Sequence, residues 1–368
     1  MQFRFNMPVE LIFGTGVIKE NTRRFNMGKK ALLVTGRSSA KLSGALDDVI
    51  YALGQEGIDY CIFDKVENNP TTENVSDGAA FGKAGKADFI VAIGGGSPLD
   101  AAKAIAALMT NDMDPEDLVR GVPKNKSLPM IAVPTTSGTG SEVTPYSILT
   151  IHSMKTKKNF QSPSSFPIVA FADPAYTRTL SYEITLDTAF DAFTHLMESY
   201  LSKRSTPFND SIAMEGMKAF AKCMDALRNN HIDETVRELL MYASCLGGIA
   251  ITHTGTTVLH AMGYSLTYFR GYSHGRANAM LIGEYLSFNQ KAVPEKIRNI
   301  MGILGFEDME EVEIFFDTGI TARPVIAKND IIMYAKLAMG QGSVAQNPRM
   351  VDEEDIIGMY QNKFGGAR

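Results

Sequence analysis

Short apolar runs separated by polar, glycine-containing turns and helical stretches fill the first half of the chain. The apolar runs are KKALLVTG, IDYCIFDKV, ADFIVAIGGG and LPMIAVP, and an earlier one lies in MPVELIFG. Between the first two, ALDDVIYALGQEG has the apolar spacing of a helix. Strand, turn and helix repeated in this way predict a parallel sheet covered by helices on both faces. Ligands of such sheets bind beyond the carboxyl ends of the strands.

The second half has a different pattern, with long segments of helical periodicity. They include TLDTAFDAFTHLMESYLSK, PFNDSIAMEGMKAFAKCMDALRNN, DETVRELLMYASCLGGIAI and NAMLIGEYLSFNQKAV. The pattern changes after FADPAYTRTLS, and a chain of 368 residues is long for one hydrophobic core. We therefore expect an α/β domain over residues 1–180 and an all-helical domain over residues 181–368.

Composition and charge exclude several classes of protein. The formal net charge is −5 and the charges of both signs are interspersed, so no basic face for nucleic acid is expected. Neither a bilayer-spanning apolar run nor the features of a signal peptide are found, so we expect no membrane partner. The three cysteines, Cys61, Cys223 and Cys245, are widely spaced in apolar surroundings. This pattern suits buried thiols in a reducing compartment, and a cytoplasmic location is expected.

The first candidate for chemistry is the turn in IGGGSPLDAAKAIA. Gly94, Gly95 and Gly96 would leave a strand, with Ser97 as helix N-cap and Pro98 in the first helical turn. Such a turn lets backbone N–H groups at a helix N-terminus approach an anion. The alternative is a turn that only satisfies strand-to-helix geometry. The pattern is not GxGxxG, so it indicates phosphate rather than one particular dinucleotide.

The second candidate is the loop VPTTSGTGSEVTPYSIL, which follows the apolar run LPMIAVP. Hydroxyl groups and small residues are concentrated there, at Thr135, Thr136, Ser137, Thr139 and Ser141. This loop could wrap a polar ligand at the carboxyl end of a strand. Alternatively, it is an ordinary loop rich in serine, threonine and glycine.

The third candidate is a set of histidines and one aspartate. Asp191 and His195 are four residues apart in a helical segment, which puts them on one helix face. His260 lies in the helical TTVLHAMGYSL, and His274 starts a helix after a loop. These four side chains could hold one divalent metal ion. A single histidine on an apolar face is more often a core residue, and nothing in the sequence excludes the nearby His253.

These motifs resemble the iron-containing (group III) alcohol dehydrogenase family, and within it the 1,3-propanediol and butanol dehydrogenases. The resemblance rests on GGGSPLDAAKAIA, PTTSGTGSEVTPYSIL, DAFTHLMESYLS and HAMGYSLTYFRGYSHG, and it extends from MPVELIFGTG to NPRMVDEEDIIGMY. It implies a Rossmann-like nucleotide-binding domain followed by an all-helical metal-binding domain. This is the two-domain architecture of dehydroquinate synthase-like proteins.

The resemblance also implies roles for individual residues. The family's metal ligands fall on Asp191, His195, His260 and His274. Its coenzyme-binding positions fall on Gly94, Gly95, Gly96, Ser97, Asp100, Thr135, Thr136, Thr139 and, in KKNFQSP, Lys158. Tyr264 stands where many members carry a histidine near the nicotinamide. A proton relay through an imidazole is therefore not expected at this position, but the tyrosine hydroxyl or a water molecule could take its place.

A second departure concerns the coenzyme. Many NAD-preferring members end the first strand of the nucleotide domain with an aspartate, whereas this chain has Gly36, followed by Arg37, Ser38 and Ser39. An aspartate would accept a hydrogen bond from the ribose 2′-hydroxyl and repel a 2′-phosphate. Glycine removes the repulsion, and Arg37 adds a cation. We therefore expect NADP(H) to be preferred over NAD(H), unless Arg37 is merely a solvated surface residue.

The expected activity is hydride transfer between short-chain primary alcohols or diols and their aldehydes, with the metal polarising the substrate oxygen. Fe(II) is implied by the resemblance, and Zn²⁺ is a possible substitute for the same ligands. The alternatives are a glycerol-type polyol dehydrogenase and a nucleotide-binding protein without catalysis. A homodimer is expected, with the early strand able to pair across a two-fold axis.

Overall fold

The structure, a computed structural model, describes residues 2–121, 123–320 and 323–365. It divides into two compact units. One unit is Arg4–Leu180, and the other is Ser181–Arg368 together with Met1–Phe3.

The α/β unit contains eight strands and five α-helices among its described residues. The strands are β1 (Glu10–Phe13), β2 (Lys30–Gly36), β3 (Asp59–Val66), β4 (Phe89–Gly94), β5 (Met130–Pro134), β6 (Ser147–Ile151), β7 (Thr156–Phe160) and β8 (Val169–Ala172). The helices are α1 (Val17–Glu20), α2 (Ser39–Leu42), α3 (Ala45–Gln55), α4 (Thr72–Ala84) and α5 (Gly96–Thr110). Short 3₁₀ turns cover Thr22–Phe25, Pro115–Val119, Ser141–Val143, His152–Met154 and Pro174–Thr177. The strands predicted from the sequence are confirmed.

Six of these strands form one parallel sheet in the order β1-β8-β5-β4-β2-β3. From β2 the chain first goes to β3 on one side and then to β4 on the other side. The order therefore reverses between β2 and β4, and a crevice forms beyond the carboxyl ends of adjacent strands at such a reversal. Gly36 ends β2 and Gly94 ends β4, so both lie at that edge.

Both faces of the four central strands, β2, β4, β5 and β8, are buried, which is why these strands are nearly continuous apolar runs. Ala31 and Leu33 of β2 belong to the core cluster that also contains Val49 and Leu53 of α3. Leu32 points to the opposite face, where α4 approaches so closely that a Cβ on Gly82 would lie 2.8 Å from it. The predicted sheet with helices on both faces is confirmed.

An antiparallel hairpin of β6 and β7 follows the hydroxyl-rich loop and was not predicted. Its turn has Lys155 in the left-handed region, with φ of 50°. The hairpin is attached to the loop after β3 because Thr150 Oγ1 donates to the carbonyl oxygen of Asn69 at 3.0 Å.

The second unit is helical throughout its described residues. Its helices are α6 (Tyr182–Leu201), α7 (Pro207–Ala221), α8 (Met224–Asn229), α9 (Glu234–Thr254), α10 (Val258–Arg270), α11 (His274–Ala279), α12 (Ile282–Asn289), α13 (Pro294–Leu304), α14 (Met309–Phe316), α15 (Lys328–Met339) and α16 (Glu353–Phe364), with a 3₁₀ turn at Gly342–Gln346. None of the described helices is both long and apolar enough to cross a membrane.

Helix α6 is central to this unit and packs against α7, α9 and α11. It begins at an N-cap, Ser181, whose hydroxyl accepts a hydrogen bond from the backbone N–H of Ile184. Every residue from Ala189 to Leu201 is buried. Any charged residue in that span must therefore have partners, because an unpaired buried charge costs several kcal/mol, on the order of 3–5.

Candidate active site

The predicted metal ligands of α6 and α10 converge in the interior of the helical unit. Ligand atoms of Asp191, His195 and His260 all lie within 4.8 Å of one another, and the three residues are buried. The Nε2 atoms of His195 and His260 are 3.0 Å apart, and Asp191 Oδ1 is 3.8 Å from His260 Nε2. Two nitrogen ligands about 2.1 Å from one ion are themselves roughly 3.0–3.4 Å apart. The donor set therefore fits a transition-metal ion.

His274, the fourth predicted ligand, is the first residue of α11. Its Nε2 lies 3.9 Å from Asp191 Oδ1, and its ring centroid is 5.0 Å from that of His260. About 22% of its side chain is exposed, whereas the Asp191 and His260 side chains are 3% and 2% exposed. His274 is therefore the most solvent-accessible member of the predicted set.

Glu198 holds His260 in the orientation that a metal requires. Its Oε2 accepts a very short hydrogen bond from His260 Nδ1, and its Oε1 accepts hydrogen bonds from the N–H and hydroxyl of Thr257 at 2.8 and 2.5 Å. Burial favours a higher pKa for this carboxyl, but His260 and the hydrogen bonds outweigh burial and the pKa is lowered. A proton on Nδ1 leaves the Nε2 lone pair of His260 for the metal.

Glu198 was missed in the sequence, although a signal was present. It follows His195 by three residues and Asp191 by seven on the same helix, so all three lie along one face. Asn278, also missed, donates from Nδ2 to Asp191 Oδ1 at 3.4 Å. The site therefore includes a second layer of buried polar side chains around the four predicted ligands.

His253 and Tyr264, two further residues considered in the sequence, lie outside the buried cluster. His253, which the sequence could not exclude as a ligand, lies in the last turn of α9, and its Nδ1 contacts the carbonyl oxygen of Ile249 at 2.9 Å. It is not a member of the buried cluster. Tyr264 stacks on His274 with ring centroids 5.5 Å apart and planes 21° from parallel. A tyrosine thus contacts the most exposed of the four predicted ligands.

The three glycines form the junction of β4 and α5: Gly94 ends the strand and Gly96 begins the helix. Gly94 has a φ of 148°, a conformation that favours glycine, and Gly95 is the N-cap of α5. The predicted N-cap, Ser97, is instead inside the helix because α5 begins at Gly96. The Ser97 hydroxyl accepts a hydrogen bond from the N–H of Asn69 at 3.1 Å, so it holds the loop that follows β3.

The hydroxyl-rich loop packs directly on this turn. A Cβ on Gly95 would lie 3.1 Å from Thr136 Cγ2, and one on Gly96 would lie 2.6 Å from Thr139 Cγ2. The N–H of Thr135 donates to the carbonyl oxygen of Gly94 at 2.9 Å. Thr135 Oγ1 is buried and has no hydrogen-bond partner within the described part of the chain. A buried hydroxyl without a partner beside a helix N-terminus fits a bound phosphate-containing ligand.

Asp100 and Lys103 fasten this loop to α5. Asp100 Oδ1 accepts from Ser141 Oγ at 2.5 Å and Oδ2 accepts from the N–H of Ile148 at 3.0 Å. Lys103 Nζ donates to the Ser141 and Tyr146 carbonyl oxygens at 2.8 and 2.7 Å. Burial raises the pKa of Asp100 and lowers that of Lys103 to about 8, although each opposes the shift of the other. The loop position thus depends on a fully buried lysine and a largely buried carboxylate of opposite charge.

The residues after β2 lie at the same edge of the sheet. A Cβ on Gly36 would have its nearest neighbours at 3.6–3.9 Å, which is ordinary contact. Arg37 is 81% exposed, with Glu67 Oε1 3.7 Å from its guanidinium. Ser38 is the N-cap of α2, and Ser39 is the first residue of that helix. The positions expected to contact the adenosine ribose are therefore at the crevice between β2 and β4.

The lysines of β7 face opposite sides of the hairpin because side chains alternate along a strand. Lys157 is buried and its Nζ donates to Asn69 Oδ1 at 2.8 Å. Since Asn69 also bonds Ser97, Lys157 is linked to the glycine turn. Lys158, the lysine predicted to contact the coenzyme, pairs with Leu149 across the hairpin.

The comparisons with known proteins identify one family for both parts of the chain. Residues 8–174 match the model of iron-containing alcohol dehydrogenases, and residues 185–364 match the C-terminal model of the Fe-containing alcohol dehydrogenase family. The chain is 33% identical to a 1,3-propanediol dehydrogenase of Klebsiella pneumoniae, covering 98% of this chain and 99% of the relative. It is 28% identical to an NADPH-dependent butanol dehydrogenase of Clostridium saccharobutylicum, covering 99% and 98%.

A solved iron-containing alcohol dehydrogenase from Thermotoga maritima has the same fold. It is 35% identical, with 99% of both chains covered and a TM-score of 0.92. The chain therefore belongs to the iron-containing alcohol dehydrogenase family and is an oxidoreductase of alcohols and aldehydes. The family resemblance drawn from the sequence is confirmed.

Proposed function

We propose that this protein interconverts short-chain primary alcohols or diols and their aldehydes, using a divalent metal ion held by Asp191, His195, His260 and His274. The observation that carries the proposal is the buried convergence of three of these donors, with the Nε2 atoms of His195 and His260 3.0 Å apart. Glu198 supports the proposal because its carboxylate binds Nδ1 of His260. The Nε2 lone pair of His260 is therefore left for a metal ion.

In this proposal the residues of the helical unit bind and orient, and none forms a covalent bond with the substrate. A bound ion would polarise the substrate oxygen, and a nicotinamide would exchange hydride with the substrate carbon. Asp191 supplies the only negative charge among the four ligands, so a divalent ion retains net positive charge. Fe(II) is the metal proposed, and Zn²⁺ suits the same nitrogen and oxygen donors. Oxidation of an alcohol also releases the proton of its hydroxyl group. Tyr264, stacked on His274, is the residue proposed to carry that proton.

The residues of the α/β unit would bind the coenzyme. Gly94, Gly95, Gly96 and Ser97 would receive the pyrophosphate at the N-terminus of α5. Thr135, with its unpartnered buried hydroxyl, is the strongest candidate for a direct hydrogen bond. Thr136 and Thr139 lie against the same turn, and Asp100 holds their loop in place. Either lysine of β7 could add positive charge, and Lys157 is the one already joined to this turn through Asn69.

We further propose that NADP(H) is preferred over NAD(H). Gly36 supports this because its backbone does not require glycine and a Cβ there would make only ordinary contacts, so the absence of an aspartate is not imposed by the fold. The 3.7 Å ion pair between Arg37 and Glu67 joins two exposed side chains. Such pairs contribute little, about 0–1 kcal/mol, so Arg37 can exchange Glu67 for a 2′-phosphate at small cost.

Replacing Gly36 with aspartate should reverse this preference. The new carboxylate would repel the 2′-phosphate of NADP and accept a hydrogen bond from the ribose of NAD. We expect the ratio of kcat/KM for NADP over NAD to fall by about tenfold to a hundredfold, since about 1.4 kcal/mol corresponds to each factor of ten. Gly36→Asn is the matched control, because it adds nearly the same volume without charge. If the wild-type enzyme prefers NAD, the proposed preference is wrong.

The activity itself is tested with the purified protein and a panel of alcohols, diols and glycerol. Reduction of NADP or NAD should depend on a short primary alcohol or diol, and metal analysis should find about one divalent ion per chain. Preferential turnover of glycerol would instead indicate a polyol dehydrogenase. A protein that binds coenzyme and metal but oxidises no alcohol would contradict the catalytic proposal.

A further inference from the structure

His274 differs from the other three metal-binding candidates in how the chain presents it. Asp191 and His195 lie within the 20-residue helix α6, and His260 lies within the 13-residue α10. His274 is the first residue of α11, which has only six residues. A short helix end fixes a side chain poorly by itself. Its position must come from contacts with neighbouring elements.

Those contacts converge on one carboxylate of α6. Asp187 lies one helical turn before Asp191 on the same face. Its Oδ1 accepts hydrogen bonds from Arg276 Nε at 2.7 Å and lies 2.6 Å from Arg276 Nη2. Its Oδ2 accepts a very short hydrogen bond from the Ser273 hydroxyl. Since Ser273 and Arg276 flank His274 in the chain, Asp187 holds both sides of it.

The backbone between these two residues touches α6 directly. A Cβ on Gly275 would lie only 1.8 Å from the carbonyl oxygen of Asp187 and 3.0 Å from Asp191 Cβ. No side chain fits there, so glycine lets α11 rest against the very turn of α6 that carries Asp191. The backbone next to His274 is thus in direct van der Waals contact with the turn of α6 that carries Asp191. This contact fixes the distance between the two residues.

Arg276 is anchored from two further directions. Its Nη1 donates a short hydrogen bond to the carbonyl oxygen of Thr318, and its guanidinium lies 5.4 Å from the centre of the Phe190 ring. Asp187 and Arg276 are 8% and 6% exposed. A buried ion pair with so many hydrogen bonds has a defined geometry, and removing one partner leaves the other charge uncompensated.

We propose that Asp187, Ser273 and Arg276 form a clamp that positions His274 as the fourth metal ligand, so that Asp187 is a positioning residue of the metal centre. This inference rests on the proposed metal site and adds residues to it. Without the clamp, α11 still packs against α6 at Gly275 and through the hydrogen bond from Asn278 to Asp191, but the residues that flank His274 are no longer held and His274 loses its fixed direction. The ion would then be held mainly by Asp191, His195 and His260.

Asp187→Asn tests the clamp, with Asp210→Asn as the matched control. Asp210 lies in α7 of the same unit, accepts from the Ser205 hydroxyl and pairs with Lys296 Nζ at 3.0 Å. The two carboxylates are similarly shielded, with 11% and 19% of their side chains exposed. Each variant therefore removes the charge of a carboxylate paired with one serine and one cation, but only Asp187 contacts the His274 segment.

Cobalt(II) is the probe, because its visible absorption reports the number and geometry of its ligands as well as its affinity. Metal-free Asp187→Asn protein should bind Co²⁺ about tenfold to a hundredfold more weakly than wild type, the usual effect of removing a group that orients a ligand. Its absorption band should also change in intensity. Asp210→Asn should keep the wild-type affinity and band, even where its melting temperature falls equally.

A double variant shows whether Asp187 acts through His274. In a His274→Ala background, Asp187→Asn should weaken Co²⁺ binding no further, because the clamped ligand is already absent. Equal losses in both backgrounds, or wild-type Co²⁺ binding by Asp187→Asn, would overturn the clamp. Ser273→Ala takes its place if Asp187→Asn does not fold, with a smaller loss in the same direction expected. Failure of the wild-type protein to bind Co²⁺ would instead contradict the proposed metal site.

Discussion

His195→Ala is expected to remove the bound metal and to lower kcat/KM for alcohol oxidation by on the order of a thousandfold. Polarisation of a substrate oxygen by a metal contributes several kcal/mol, and each 1.4 kcal/mol or so corresponds to a factor of ten in rate. His195 is preferable to His260 for this test because its loss leaves the hydrogen bonds of Glu198 to His260 and Thr257 in place. The buried carboxylate therefore keeps its partners.

His253→Ala is the matched control for His195→Ala. His253 lies at the end of α9 and contacts the carbonyl oxygen of Ile249, so its loss should leave metal content and activity near wild type. Metal content is measured by elemental analysis of protein purified without chelator, alongside steady-state kinetics and a thermal melt. A His195→Ala protein with full metal content and activity would show that the cluster is only a hydrogen-bonded core, as would the same result for Asp191→Ala.

The sequence could predict much of this site because helical periodicity fixes which residues share a face. Asp191 and His195, four residues apart, are brought together for that reason. The choice between His253 and His260 could not be made in the same way. Each lies in a helical segment, and only the packing of α9 and α10 around α6 decides which imidazole reaches Asp191.

The supporting residues were harder to predict because their partners are distant in the chain. Glu198 contacts His260 across 62 residues, and Asp187 contacts Arg276 across 89. A carboxylate in an apolar helix indicates a buried partner but does not identify it. The sequence could therefore show that α6 carries buried charge, whereas the pairing of that charge is known only from the fold.

Two features of the secondary structure, a helix break and a hairpin, were missed because no residue pattern in the local sequence marks them. The helix predicted over residues 207–230 divides into α7 and α8 around Lys222 and Cys223, and neither residue is a helix breaker. The β6–β7 hairpin was also missed, because its second strand, TKKNF, is short and largely polar. Its register is maintained by cross-strand pairing and by attachment to the Asn69 loop.

Gly94→Ala is expected to weaken coenzyme binding by at least about tenfold and to destabilise the α/β unit by roughly 1–3 kcal/mol, the usual cost of a residue in a disfavoured backbone conformation. Gly94 has a φ of 148°, and its added Cβ would lie 2.6 Å from Pro98 Cγ. The proline ring is rigid, so the turn or the start of α5 must move. Either movement disturbs the hydrogen bond from Thr135 N–H to the Gly94 carbonyl oxygen.

Gly54→Ala is the control for Gly94→Ala, because Gly54 lies in α3 of the same unit with no atom within 4 Å of its Cβ position. It should keep the wild-type coenzyme Kd and be equally or slightly more stable, since alanine favours a helix by about 1 kcal/mol over glycine. Metal content distinguishes a local effect on the coenzyme site from general damage to the protein. All four proposed ligands belong to the helical unit, so Gly94→Ala should lose coenzyme affinity and keep its metal. Wild-type coenzyme affinity in Gly94→Ala would place the pyrophosphate away from this turn.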